Sequence, residues 1–180
     1  MPRRRPNASA EPALAPAWRS RDGASQLFCA DQQTLLACLP AESVDCIWTD
    51  PPYFLSNDGY TCVAGKRRKV NKGPDRYVFN YDAMKTANDG RQMKNVWRFP
   101  APGALEKQHG RHPTQKPLAL IERCLEASTL PGQRVLDPFA GSGSTGVAAL
   151  RLGREFIGCE LEPRYATLAA ARLGETDHAS

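Results

Sequence analysis

The chain has 180 residues, 41% hydrophobic and 24% charged, with a net charge of +5. That composition suits one domain with its own core and is too short for two large ones. No run of 18 or more apolar residues is present, which excludes a membrane-spanning helix.

Residues 1–24 are rich in Arg, Pro and Ala and lack a continuous apolar stretch of signal-peptide type. They read as a disordered basic tail, with a targeting role for Arg3-Arg4-Arg5 as the alternative. Residues 25–175 then form the single domain. Its first strand is Leu27–Ala30, after which Asp31 caps a helix running to about Cys38. A second apolar strand spans Val44–Thr49. The middle, residues 54–111, is polar, basic and rich in Gly and Asn, and only Tyr77–Phe79 and Val96–Phe99 resemble strand material. Pro117 opens a helix with Leu118, Ile121 and Leu125 on one face. A strand at Arg134–Asp137, a helix from Gly143 to Gly153, a strand at Glu155–Glu160 and a helix from Pro163 to Gly174 complete the order. Continuous apolar strands alternating with helices imply an α/β fold, a parallel sheet covered on both faces.

Cys29, Cys46 and Cys159 lie in apolar strands and no C-x-x-C pair occurs. Buried, reduced thiols in a cytoplasmic protein fit this pattern better than a disulfide frame or a metal site. The charge is uneven. The tail through Asp22 carries +3 and Lys66–Arg76 carries +5, leaving about −3 elsewhere. Lys66, Arg67, Arg68, Lys69 and Lys72 are therefore either a solvated loop or a contact surface for a phosphate backbone.

The strand ending in Asp137 enters Pro138-Phe139-Ala140-Gly141-Ser142-Gly143-Ser144-Thr145-Gly146, a G-x-G-x-x-G turn between strand and helix. Glu160 ends the next strand, where a carboxylate can accept the hydroxyl protons of a ribose. A dinucleotide would suit a glycine turn alone, but a carboxylate at Asp137 repels phosphate and attracts an ammonium or sulfonium group. Thr114 and Lys116, in His112-Pro113-Thr114-Gln115-Lys116-Pro117, offer a hydroxyl and a cation for an amino-acid carboxylate; Thr114 could equally cap the following helix. S-adenosylmethionine is the simplest nucleoside with such a tail.

At the other end, Asp50-Pro51-Pro52-Tyr53 leaves the second strand. The prolines end the ladder rigidly, so the Asp50 carboxylate and the Pro51 carbonyl point away from the strand's carboxyl end. The exocyclic amino group of a base is a poor nucleophile because its lone pair is delocalised. Two acceptors on its hydrogens favour a tetrahedral nitrogen that can attack a methyl sulfonium in line. Tyr53 provides a face for a base extruded from the duplex.

Thr49–Tyr53, His112–Pro117 and Asp137–Gly146, in this order, resemble the site-specific DNA (adenine-N6) methyltransferases of bacterial restriction-modification type, permuted β class. The resemblance covers nearly all of Leu27–Leu173. It implies a Rossmann-like sheet that binds S-adenosylmethionine through Asp31, Thr114, Lys116, Asp137, Phe139, Gly141, Gly143 and Glu160. Catalysis is implied for Asp50, Pro51, Pro52 and Tyr53, with double-stranded DNA as partner and adenine N6 favoured over cytosine N4. Family members place three further strands after the catalytic motif. Here the matter after Gly73 is missing, so the sheet is expected to shorten to about four parallel strands, with the one leading to Asp50 as an uncovered edge. An inactive remnant that binds cofactor or DNA only, and a second subunit that completes the sheet, are the readings this opens.

Overall fold

A computed structural model describes residues 14–50, 78–94 and 96–179. Pro51, Pro52, Tyr53 and the basic run Lys66, Arg67, Arg68, Lys69 and Lys72 lie outside the described residues. The described elements are strands β1 (Trp18–Arg19), β2 (Gln26–Cys29), β3 (Cys46–Ile47), β4 (Arg134–Asp137) and β5 (Glu155–Glu160). The helices are α1 (Gln32–Cys38), α2 (Tyr81–Thr86), α3 (Leu118–Ser128), α4 (Ser144–Arg151) and α5 (Pro163–Ala179), with a 3₁₀ turn at Leu105–Lys107.

The strands form one sheet in the order β1-β2-β5-β4-β3. The four expected strands are all present and parallel, and β1 adds an antiparallel edge through Trp18↔Leu27 and Arg19↔Gln26. Part of the expected basic tail is therefore sheet. Trp18 packs against the main core and Ser20 is buried, contacts that composition alone does not reveal.

Successive residues of each central strand serve opposite faces, as the pleat requires. Leu27, Val135 and Phe156 meet Leu118, Ile121, Leu125, Val147 and Leu173 from α3, α4 and α5. Their neighbours Phe28, Leu136 and Ile157 turn the other way, onto Leu35 of α1. Continuous apolar strands are thus explained by cover on both sides.

The strand leading to Asp50 is shorter than expected: only Cys46–Ile47 pairs as strand, extended by Asp45 N–H to the Arg134 carbonyl (3.0 Å) and Trp48 N–H to the Leu136 carbonyl (3.0 Å). It is the sheet edge among the described residues, and Ile47 is 62% exposed. The cysteine expectation also changes: Cys159 is buried, Cys46 on this edge strand is only half-buried, and Cys29, at the carboxyl end of interior strand β2, is exposed.

Two further expectations change. Val96–Phe99 is not a strand; the Arg123 guanidinium of α3 sits 5.5 Å from the Trp97 ring and 4.8 Å from that of Phe99, holding the segment as irregular chain. α5 passes through Gly174 instead of stopping there. A helical glycine costs about 1 kcal/mol relative to alanine, less than the packing of Ala169 and Leu173 in the main core can offset. Gly174 itself lies beside the Trp18 indole.

The turn from β4 into α4 determines where a ligand can approach. Gly143 is the residue before α4, with φ +74°, and a Cβ placed on it would lie 2.9 Å from the Ala169 Cβ of α5. Both the backbone conformation and the packing exclude a side chain. Gly143→Ala is expected to lower stability by about 2–4 kcal/mol, combining left-handed strain with overpacking. Chemical denaturation checks this, and a loss under 1 kcal/mol would mean that α5 yields more easily than the contact implies.

Candidate ligand and catalytic cleft

The carboxyl ends of β3 and β4, the glycine turn and the segment before α3 surround one open cleft. Its lining includes Trp48, Asp50, His112, Thr114, Lys116, Asp137, Phe139, Gly141, Ser142 and Ser144. Residues from the Asp50 segment, the lysine-bearing motif and the glycine turn, widely separated in sequence, thus meet at the carboxyl edge of the sheet, where open α/β sheets bind ligands.

Asp137 is 4% exposed at the end of β4. One carboxylate oxygen accepts the Phe139 N–H (3.1 Å) and the other the Thr145 hydroxyl (2.6 Å). Burial pushes its pKa up to about 6, the two hydrogen bonds pull against that, and the charges of Asp50 and Glu160 push further up. It makes no ion pair among the described residues. Such a carboxyl is suited to a cationic group that enters from the cleft.

Glu160 holds the turn from the neighbouring strand. Its carboxylate accepts the Gly141 N–H and the Glu162 N–H, both at 2.9 Å, through different oxygens. Each oxygen keeps a second lone pair for a ligand hydroxyl. The pairing Cys29↔Glu160 brings the end of β2 alongside, and Asp31 follows as the cap of α1. Both Asp31 oxygens are engaged there, by the Thr34 N–H (2.9 Å) and hydroxyl (2.6 Å).

Lys116 has a different partner from the amino-acid carboxylate expected of it: its ammonium donates to the Asp50 carboxylate. The two sequence motifs therefore share one cation. Thr114 does not cap α3; Pro117 is the cap residue, and the Leu118 N–H is satisfied by the Glu106 carboxylate at 3.0 Å. Thr114 remains exposed at the cleft, its N–H donating to His112 Nδ1 (3.3 Å).

His112 belongs to a motif recognised in the sequence, but no role was assigned to it there. Its ring packs edge-on against Tyr165, centroids 4.3 Å apart, and against Gly141, whose added Cβ would lie 3.2 Å from His112 Cε1. Partial burial lowers its pKa, with the nearby Glu160 charge opposing that. Neutral imidazole with Nδ1 as acceptor is the form this supports. Ser142 and Ser144 belong to the glycine turn read in the sequence but carry no role there, and Arg172 escapes sequence reading altogether. Arg172 has the sequence context of a solvated helix cation, and only the packing of α5 against the turn reveals that it is buried.

A family model described as DNA methylase (N6_N4_Mtase) matches residues 60–171. The chain belongs to this DNA methylase family. The match spans the lysine-bearing motif and the glycine turn and begins after Asp50. Among its relatives, type II methyltransferase M2.DpnII of Streptococcus pneumoniae is 54% identical over 105 residues, covering 58% of this chain and 39% of that protein. M2.MboI of Moraxella bovis is 47% identical over 123 residues, covering 68% and 43%. The chain thus spans about two-fifths the length of the curated relatives it matches. The solved PvuII cytosine-N4-specific DNA methyltransferase aligns with 93% of this chain and 95% of its own, with a TM-score of 0.58 at 15% identity. That likeness establishes the fold: a Rossmann-like methyltransferase sheet. No helix among the described residues is long and apolar enough to cross a membrane.

Proposed function

We propose that this chain carries the site of an S-adenosylmethionine-dependent enzyme that methylates the N6 amino group of adenine in DNA. The observation that carries this reading is the convergence of Asp50, Lys116 and Asp137 on one cleft beside the glycine turn. The donor set fits the cofactor. Asp137 offers a buried carboxylate to an ammonium, Thr114 and Lys116 a hydroxyl and a cation to a carboxylate, and Glu160 free lone pairs to ribose hydroxyls. Phe139, Gly141 and Gly143 shape the wall against which the nucleoside lies, with Asp31 beyond Glu160 toward the adenine. When bound, the cofactor supplies a methyl group on a positively charged sulfur.

The protein's part is positioning and polarisation. In this reading Asp50 and the carbonyl of Pro51 accept the two hydrogens of the target amine, and Asp50 draws one away as the nitrogen becomes tetrahedral. Pro52 stiffens the exit from β3 and Tyr53 stacks the base. Lys66, Arg67, Arg68, Lys69 and Lys72 contact DNA phosphates, and the protein works in the cytoplasm as part of a restriction-modification pair.

A second reading is favoured by β3, the sheet edge among the described residues, with Ile47 exposed beside the path to Asp50. A base pocket with one wall open would bind cofactor without efficient turnover, unless a second subunit completes the sheet there. Transfer of labelled methyl groups to duplex DNA, followed by nucleoside analysis, separates these. N6-methyladenine is the expected product, and N4-methylcytosine would move the assignment to the other base. Saturable cofactor binding with no transfer would establish the second reading, and no cofactor binding would sink both.

A further inference from the structure

Arg172 lies on α5, 5% exposed, and makes no ion pair with a carboxylate among the described residues. One guanidinium nitrogen donates to the Ser142 carbonyl (2.6 Å) and to the Ser144 hydroxyl oxygen (3.0 Å). Ser144 Oγ is in turn 3.1 Å from Ser142 Oγ. Burying a guanidinium without a carboxylate partner is costly, so a solvated cation would gain nothing by this position. Both partners lie in the glycine turn and both serines line the cleft.

The arrangement has a direction. Arg172 can only donate, so Ser144 Oγ accepts from it and turns its own proton elsewhere, most favourably onto Ser142 Oγ. The Ser142 carbonyl, pulled toward α5, orients the peptide that precedes Gly143. From the opposite side, the Glu160 carboxylate holds the Gly141 N–H. The turn is therefore gripped at one end by an acid on β5 and at the other by a base on α5.

We propose that Arg172 is a positioning residue for the cofactor turn. It touches no ligand and acts through Ser142 and Ser144, aligning the backbone from Gly141 to Ser144 with the nucleoside. This rests on the reading of the cleft as an S-adenosylmethionine site. A buried cation that merely packed α5 onto the sheet would affect stability without affecting the affinity of the folded protein.

The test uses the full chain and its variants Arg172→Lys, Arg172→Met and Ser144→Ala. Cofactor affinity is measured by calorimetry with S-adenosylmethionine, stability by thermal unfolding, and local order by amide hydrogen exchange. Folded Arg172→Met is expected to bind about 10- to 100-fold more weakly, and Ser144→Ala several-fold more weakly, in the range typical when a supporting contact is lost. Arg172→Lys, which can still donate to the Ser142 carbonyl, is expected to recover part of the loss. Exchange should accelerate in residues 140–146 more than in α5 itself. Affinity of Arg172→Met within twofold of wild type would overturn the proposal, as would acceleration spread evenly along α5. If Arg172→Met does not fold, Arg172→Lys and Ser144→Ala decide, and unchanged affinity in both overturns it. Should the wild type bind no S-adenosylmethionine, the cofactor reading fails. The exchange data then judge the grip on the turn separately.

Discussion

Asp137→Asn is expected to weaken S-adenosylmethionine binding by about 10- to 100-fold, the range for losing a hydrogen bond to a charged partner, while making the protein more stable at neutral pH. The two effects share a cause. Asp137 is buried at the end of β4 with a pKa raised from the ordinary 3.8 to about 6. An acid whose pKa is raised on folding favours the folded state most when protonated. Stability is therefore highest below pH 4, falls as the pH rises toward 6, and levels off above it. The shift corresponds to about 3 kcal/mol as an upper bound at neutral pH. An asparagine removes this cost and keeps the local bonds, its oxygen accepting the Phe139 N–H and its amide donating to Thr145 Oγ1, in place of the present pair.

A net gain of about 1–2 kcal/mol, or a few degrees in Tm, follows once burial of the amide is counted. The gain should shrink by about 1.4 kcal/mol between pH 7.5 and pH 5, which leaves little or none of it at the lower pH. Wild-type cofactor affinity should fall about tenfold over the same interval as the carboxylate takes up a proton, whereas that of the variant should not. A variant that loses stability at pH 7.5 would show that Thr145 and Phe139 need the charge. A variant with undiminished affinity would remove Asp137 from the cofactor site.

Asp50→Ala is expected to lower methyl transfer by about 10²-fold or more, the scale for removing a group that stabilises charge in the transition state. It should leave cofactor binding intact or slightly tighter. The second part follows from the ion pair between Lys116 and Asp50. The lysine that could face a cofactor carboxylate is engaged by the acid that would face the target amine. Their side chains are 41% and 35% exposed, so solvent screens the pair and it contributes only about 0.2–1 kcal/mol. Releasing Lys116 should therefore strengthen binding by less than about fivefold. Calorimetry with S-adenosylmethionine and labelled-methyl transfer, run on the same preparations, check the two halves. A tenfold loss of cofactor affinity would mean that Asp50 belongs to the cofactor site rather than to the amine.

Some of this was legible from residues alone because the chemistry is local. A strand running into a glycine turn shows where Asp137 must lie, since β4 ends there and α4 cannot start without Gly143. Asp31 as the cap of α1 and Pro117 at the start of α3 follow from preferences that act within one turn of helix. Other elements depended on distant partners. The paired residues Trp18–Arg19 carry no strand signal, and only β2 and α5 beside them make a strand there. Val96–Phe99 has strand composition, yet aromatic stacking on Arg123 takes the place of a ladder.

Local residue patterns were enough for the α/β class, the four parallel strands, the glycine turn and the placing of Asp50 and Asp137 at strand ends. Spacing and side-chain chemistry suffice for these, because each is decided within a strand, a turn or a cap. Tertiary structure alone decided that Lys116 bonds to Asp50, that the Asp137 carboxyl is raised by burial, and that Arg172 grips the turn. These properties arise between elements far apart in the chain. Burial and Coulombic interaction depend on distance in space, which no local pattern of residues records.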